Sequence, residues 1–121
     1  MFALLISAFC TSSWAITGLN SDFSLNKEEI KNHYFEGEFD TVRTALEHFR
    51  KNMKGASRVD SVFVYKYLAV ICAAYPESKL EAESYMYQLL KLSPSVELLD
   101  MYISDTIQAI FSKVRTEYKV R

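Results

Sequence analysis

The chain has 121 residues, of which 50% are hydrophobic and 24% are charged, and its formal net charge is -1 at pH 7. This length and composition are typical of one soluble globular domain with a hydrophobic core. A net charge so close to zero excludes the basic character that nucleic-acid binding requires. The chain also has only three glycines and two prolines, too few for the many turns of an all-β fold. We therefore expect an all-α protein that binds no nucleic acid.

The first 20 residues, MFALLISAFCTSSWAITGLN, contain no charged side chain. An apolar run from Phe2 to Cys10 is followed by small residues at Ser13 and Ala15, which is typical of a signal peptide. We predict a signal peptide over 1–15 that is cleaved after Ala15, and export to the periplasm or cell envelope. No Lys or Arg precedes the apolar run, so two other interpretations stay open: an uncleaved membrane anchor and a buried N-terminal helix.

A linker is predicted over 16–25 and a helical domain over 26–121. The first helix is predicted over Lys27 to Glu36. Asn26 precedes it, and Glu29 follows three residues later, which together form the pattern of a capping box.

A tight corner is predicted at GEFD, residues 37–40. Gly37 ends the first helix because glycine tolerates the left-handed conformation found at helix C-termini. Asp40 is the predicted N-cap of the second helix, so the two helices form a hairpin. The apolar positions of the second helix follow helical spacing: Val42, Ala45, Leu46, Phe49 and Met53.

The third helix is predicted to be central and buried on most sides. Ser57 is its predicted cap, and Val59 to Tyr75 is apolar over a length that exceeds a typical strand. Pro76 ends it. Cys72 lies in this run and is predicted to be a buried hydrophobe, because a reactive thiol needs basic neighbours or a helix N-terminus. Once a signal peptide is removed, Cys72 has no second cysteine for a disulfide.

A fourth helix is predicted for KLEAESYMYQLLKLSP, Lys79 to Pro94, where the proline closes the helix. Its predicted seam consists of Ala82, Tyr85, Met86, Leu89 and Leu90. Tyr87 is turned about 200° away from Tyr85, because successive helical residues are about 100° apart. We expect Tyr87 to be exposed or to face a partner.

The next segment, SVELLDMYIS, is interpreted either as a short helical turn or as an irregular packed segment. Ser104 is the predicted cap of the last helix. The apolar register of that helix comprises Ile107, Ile110, Phe111, Val114 and Tyr118. Its end is basic, with Lys113, Arg115, Lys119 and Arg121. Cations there complement the helix dipole, and a patch for anionic partners or lipid headgroups is the alternative.

Two segments resemble the tetratricopeptide repeat. GEFDTVRTALEHF is similar to the turn and second helix of that repeat, and YKYLAVICAAY to its first helix. Ala82, Met86 and Pro94 match its small, large apolar and closing-proline positions. The second half of the chain also resembles a tetratricopeptide-like module of exported bacterial proteins. The resemblance implies an all-α fold: a short helical solenoid of two hairpins plus a C-terminal capping helix.

This resemblance also implies a class of function. We expect a non-enzymatic adaptor or assembly factor in the envelope of a Gram-negative bacterium, which binds another envelope protein or a larger complex through a helical groove. Self-association is a further expectation because so small a solenoid has little core of its own. The alternative is a membrane-anchored structural scaffold subunit, which contacts the membrane only through an uncleaved N-terminal segment.

Candidate sites for chemistry are few. His33 and His48 lie on successive predicted helices. Glu36, three residues after His33, could add a second metal ligand, but two ligands are too few for a metal site. We therefore predict no catalytic residue, no metal and no cofactor. Tyr65, Lys66 and Tyr87 are the predicted partner-binding residues because they point away from the helix seams, and tyrosine is frequent at interface hot spots.

Overall fold

A computed structural model describes residues 26–101 and 103–120, and all regular structure in these ranges is helical. The prediction of an all-α protein is confirmed, whereas the predicted signal peptide and linker lie outside the described residues. The helices are α1 (Lys27–Phe35), α2 (Phe39–Lys51), α3 (Arg58–Ala73), α4 (Lys79–Leu92) and α5 (Asp105–Val120), with 3-10 turns at Pro76–Ser78 and Leu99–Met101. No helix in the described ranges is both long and apolar enough to cross a bilayer.

The chain divides into two compact units at Ala56 and Ser57. The first contains α1 and α2 and is called the N-terminal hairpin. The second contains α3, α4 and α5 and is called the C-terminal unit. Both show the packing of helices through apolar seams that the sequence predicts, and this packing is consistent with a short helical repeat arrangement.

The N-terminal hairpin is defined by how α1 begins and ends. The side chain of Asn26 accepts a hydrogen bond from the Glu29 amide at 3.1 Å, which confirms the predicted N-cap. At the other end Gly37 has a φ of 83°. Its amide donates to the carbonyl of Tyr34, and the amide of Glu38 donates to that of His33, each at 3.0 Å. This pair of bonds is a Schellman motif, which closes α1 and reverses the chain.

The prediction that Asp40 is the N-cap of α2 is wrong. The helix begins at Phe39, so Asp40 lies inside its first turn, and the N-cap is Glu38, whose side chain makes no capping bond. The Schellman motif determines where α2 starts, because it reverses the direction of the chain at Gly37 and Glu38. The Glu38 carbonyl then accepts the first hydrogen bond of α2, from the Val42 amide at 3.1 Å. Asp40 keeps a favourable place, since a carboxylate near a helix N-terminus complements the dipole.

The buried seam of the hairpin follows the predicted spacing up to the end of α2. The buried side chains are Ile30, Tyr34, Val42, Ala45, Leu46 and Phe49. Met53 was also expected in this helix, but α2 ends at Lys51 and Met53 is half-buried in the turn beyond it.

In the C-terminal unit, α3 is buried on most sides, as predicted. It is not the central helix, because α4 is the helix that packs closely against both α3 and α5. The N-cap of α3 is Ser57, whose hydroxyl accepts from the Asp60 amide at 3.1 Å. Its buried residues include Phe63, Val64, Tyr67 and every residue from Leu68 to Cys72. The prediction that Cys72 is buried is confirmed.

Helices α3 and α4 form an antiparallel hairpin around the turn Pro76–Ser78. Arg58, at the start of α3, donates through Nε to the carbonyl of Leu92, at the end of α4, at 2.6 Å. Midway along the pair, the rings of Tyr65 and Tyr85 lie 5.9 Å apart. Ala82, Met86, Leu89 and Leu90 are buried as predicted, whereas Tyr85 is half-buried rather than a full member of the core.

Helix α5 runs in the same direction as α4. Lys113 Nζ lies 3.6 Å from a carboxylate oxygen of Glu83. One turn further along both helices, the Tyr87 hydroxyl lies 3.3 Å from a carboxylate oxygen of Glu117. Because the residue numbers rise together along both helices, the two helices are parallel neighbours. A short loop would instead have made α5 antiparallel to α4.

The parallel arrangement requires a return connection, which residues 93–104 provide; we call this segment the strap. Helix α4 has 14 residues, so the strap must cover about 21 Å, well within the reach of its extended chain. Leu98 and Met101 of the strap are 0% exposed. The described residues of the strap, 93–101 and 103–104, therefore form a packed irregular segment with one 3-10 turn. Each of the two interpretations of SVELLDMYIS describes part of it.

Polar contacts hold the strap at three places. Arg115 of α5 bonds to the carbonyl of Val96 and lies 3.7 Å from the carboxylate of Glu97. Lys66 of α3 bonds to Asp100 at 2.8 Å. At the end of the strap, the Ser104 hydroxyl accepts from the Ile107 amide at 3.2 Å, which confirms the predicted cap of α5.

Replacing Gly37 by Ala is expected to destabilise the N-terminal hairpin by about 1 kcal/mol, because a residue with a Cβ is strained at a φ of 83°. The space around the position is open, so no clash adds to this cost. Urea unfolding followed by far-UV circular dichroism measures the effect. Asn32→Ala, at an exposed position of α1, is the control, and an equal loss of stability in both variants would contradict the backbone explanation.

Leu98→Ala is expected to cost about 2–5 kcal/mol of unfolding free energy because it removes a fully buried side chain. Asp100→Asn is expected to cost less than about 1 kcal/mol, although it breaks the ion pair with Lys66, because the Asp100 side chain is 69% exposed. Thermal unfolding of the two variants ranks the effects. If Asp100→Asn were the more harmful change, burial would not be what holds the strap.

Candidate partner-binding site

A surface groove lies between the last turns of α4 and α5. It is lined by Tyr87, Gln88 and Lys91 of α4 and by Tyr118 and Lys119 of α5, and its volume is about 660 Å³. We call this set of five residues the tyrosine groove. It exists because α4 and α5 are parallel, so that the C-terminal ends of both helices lie side by side.

Two aromatic rings form the apolar part of the groove. The ring centroids of Tyr87 and Tyr118 are 6.3 Å apart, and their planes are inclined by 55°. Both residues are half-buried. The Tyr87 hydroxyl is held at 3.3 Å by Glu117, and Glu117 is in turn 4.0 Å from Lys113. The ring of Tyr87 is thus held by neighbours within the unit.

The two lysines of the tyrosine groove are exposed. Neither Lys91 nor Lys119 forms an ion pair with a described residue. Three other basic side chains of the C-terminal unit do form such pairs: Lys66 with Asp100, Lys113 with Glu83, and Arg115 with Glu97.

The three predicted partner-binding residues face three different parts of the C-terminal unit. Tyr65 is half-buried against Tyr85 of α4. The Lys66 side chain is only 16% exposed and is bonded to Asp100 of the strap. Tyr87 lies against α5 and is the member of the set that lines the tyrosine groove. It was expected to be exposed or to face a partner, and it is half-buried because α5 covers one side of it.

Sequence reasoning missed the other residues of the tyrosine groove. Tyr118 was assigned to the seam of the last helix, but it is half-buried at the groove. Lys119 was noted only as part of a basic helix end. The signal that would have found the groove is the 12-residue length of the connection between α4 and α5, which is long enough to make these helices parallel.

A second cluster lies at the corner of the N-terminal hairpin. His33, Glu36 and Glu38 each place one ligand atom within 4.8 Å of the others. The sequence indicated only the first two of these residues. Glu38 was missed because the Schellman motif, rather than helical spacing, brings it back to His33. One imidazole and two carboxylates are donors that zinc accepts, but the direct pairing of His33 Nδ1 with Glu38 already accounts for this arrangement. We assign no metal to it.

The second histidine, His48, is half-buried. Its Nε2 atom is buried and has no hydrogen-bond partner among the described residues.

Comparison with protein-family models, with curated proteins and with solved structures found no match. The tetratricopeptide resemblance therefore depends on the sequence segments alone. The tyrosine groove is the feature of the described residues on which a function can best be based.

Proposed function

We propose that this chain is a non-enzymatic protein-binding module, an adaptor or assembly factor of the bacterial cell envelope, and that the tyrosine groove binds a segment of its partner. The observation that carries the proposal is the pair of tyrosine rings, Tyr87 and Tyr118, beside an open groove on the α4–α5 surface. A tyrosine offers a large apolar ring and a polar tip, and this combination is why tyrosines are enriched among the residues that dominate binding energy.

The position of Tyr87 before binding supports this role. Its ring contacts Tyr118 and its hydroxyl bonds to Glu117, both on α5. On the same helix, Met86 and Leu90 are fully buried and fix the backbone that carries it. A side chain that is already ordered loses less conformational entropy when a partner binds. The tyrosine groove is thus a preorganised surface.

The chemistry of the groove favours binding over catalysis. Its side chains are two tyrosines, two lysines and a glutamine. None of these five is a histidine, a cysteine or a carboxylate, the groups that most often act as general bases or activated nucleophiles. Helical surfaces that present aromatic and apolar side chains commonly hold partner segments.

The location in the envelope is a part of the proposal that depends on residues 1–15. A cleaved signal peptide places the mature chain in the periplasm, whereas an uncleaved segment would support the alternative of a membrane-anchored scaffold subunit. N-terminal sequencing of the protein expressed in a Gram-negative host distinguishes them. A new terminus at Ile16 is the expected result, and retention of Met1 in the membrane fraction would favour the scaffold.

Selection of peptides tests the binding role. The full chain is used to select from a display library of random peptides of about 12 residues, and the affinity of selected peptides is measured by fluorescence polarisation. The double variant Tyr87→Ala/Tyr118→Ala is expected to weaken binding at least about tenfold, because truncating hot-spot side chains costs more than about 1.4 kcal/mol.

Tyr75→Ala is the matched control, because Tyr75 is a half-buried tyrosine of the same unit outside the tyrosine groove. Its effect on binding is expected to stay within about twofold. Circular dichroism verifies that each variant is folded. Selected peptides that bind the double variant as tightly as the original chain, or a library from which none is selected, would contradict the proposal.

A further inference from the structure

We infer that the tyrosine groove takes an acidic segment of a protein partner, whose Asp or Glu side chains pair with Lys91 and Lys119 while an apolar side chain contacts Tyr87 and Tyr118. This inference rests on the proposed function and names the class of partner. Lys91 and Lys119 are exposed, line the same groove and have no carboxylate partner among the described residues.

The helix dipole is the competing explanation for lysines at helix ends. Cations near a helix C-terminus interact favourably with its negative end. At the end of α4, however, that role is filled by Arg58, whose guanidinium donates to the Leu92 carbonyl at 2.6 Å. Lys91 is therefore not needed to cap α4. Arg58 instead adds a third positive charge at this end of the C-terminal unit.

The acidic residue that bonds to Tyr87 makes its contacts within the C-terminal unit. Glu117 accepts the Tyr87 hydroxyl bond on one side and lies 4.0 Å from Lys113 Nζ on the other. The Glu117 carboxylate is thus engaged by Tyr87 and Lys113, both within the C-terminal unit. The five side chains that line the groove carry two positive charges and no negative one. A segment with acidic side chains is the complementary partner.

A membrane surface fits these observations less well than a protein segment. Recognition of anionic lipids usually needs a cluster of about four to eight basic residues, whereas the tyrosine groove has two lysines. Its tyrosine-lined surface also matches a side chain of a peptide, because aromatic rings provide apolar contact within a concave site. We therefore commit to an acidic protein segment.

The test uses the full chain and the selected peptides whose binding depends on Tyr87 and Tyr118. Their sequences are expected to be enriched in Asp and Glu over the starting library. Replacing these acidic residues by Asn and Gln in the tightest peptide is expected to weaken binding at least about tenfold. The variant Lys91→Glu/Lys119→Glu is expected to weaken binding of the unchanged peptide by a similar factor.

Two controls separate the groove from general effects. Lys54→Glu/Lys79→Glu changes the net charge by the same amount at exposed residues outside the groove, and its effect is expected to stay within about threefold. Tyr87→Phe retains the ring and loses the hydroxyl bond to Glu117. It is expected to keep most of the affinity, which provides a folded variant if Tyr87→Ala does not fold.

The outcomes are distinguishable. Peptides that need the two tyrosines but show no acidic enrichment, and that bind Lys91→Glu/Lys119→Glu unchanged, would overturn this inference and leave the proposed function standing. A library that yields no tyrosine-dependent peptide would overturn both. Co-sedimentation with vesicles of phosphatidylcholine and phosphatidylglycerol in a ratio of roughly 7:3, lost in Lys91→Glu/Lys119→Glu and without acidic-peptide binding, would overturn it in favour of a membrane.

Discussion

The burial of the strap is the constraint on which the C-terminal unit depends. Leu98 and Met101 are completely removed from solvent, although they belong to an irregular connection. Because these two side chains are buried, the strap packs against the helices as it returns from the end of α4 to the start of α5. This return is what allows α5 to run parallel to α4. The tyrosine groove follows directly, because only parallel helices place Tyr87 and Tyr118 at the same end.

The parallel arrangement also determines where charge accumulates. Two helix C-termini lie side by side, each with a negative dipole end, so positive side chains are favourable there. Arg58 bonds to the end of α4, and Lys91 and Lys119 stand at the groove. Backbone electrostatics and the proposed recognition of an acidic partner therefore favour the same residue types at this position.

Local signals in the sequence were sufficient for the helices and most of their ends. Asn26, Ser57 and Ser104 were each predicted as caps, and each accepts the amide of the residue three positions later. Such bonds depend only on spacing within one turn, so a single sequence reveals them. Asp40 was wrongly predicted as a cap because backbone hydrogen bonds of the Schellman motif determine the start of α2. These bonds do not depend on the side chain at position 40.

The candidate site was less predictable, because periodicity shows the direction of a side chain but not which element covers it. Tyr65 and Lys66 pointed away from the seam of α3, and the structure covers them with Tyr85 and Asp100. Tyr87 lines the tyrosine groove, whereas the place of its neighbour Tyr118 depended on the direction of α5.

The strap has a further consequence for folding. The α3–α4 hairpin is local in sequence, but the walls of the groove are about 30 residues apart, so loop closure must precede their contact. The tyrosine groove therefore forms only after α5 has packed against α4.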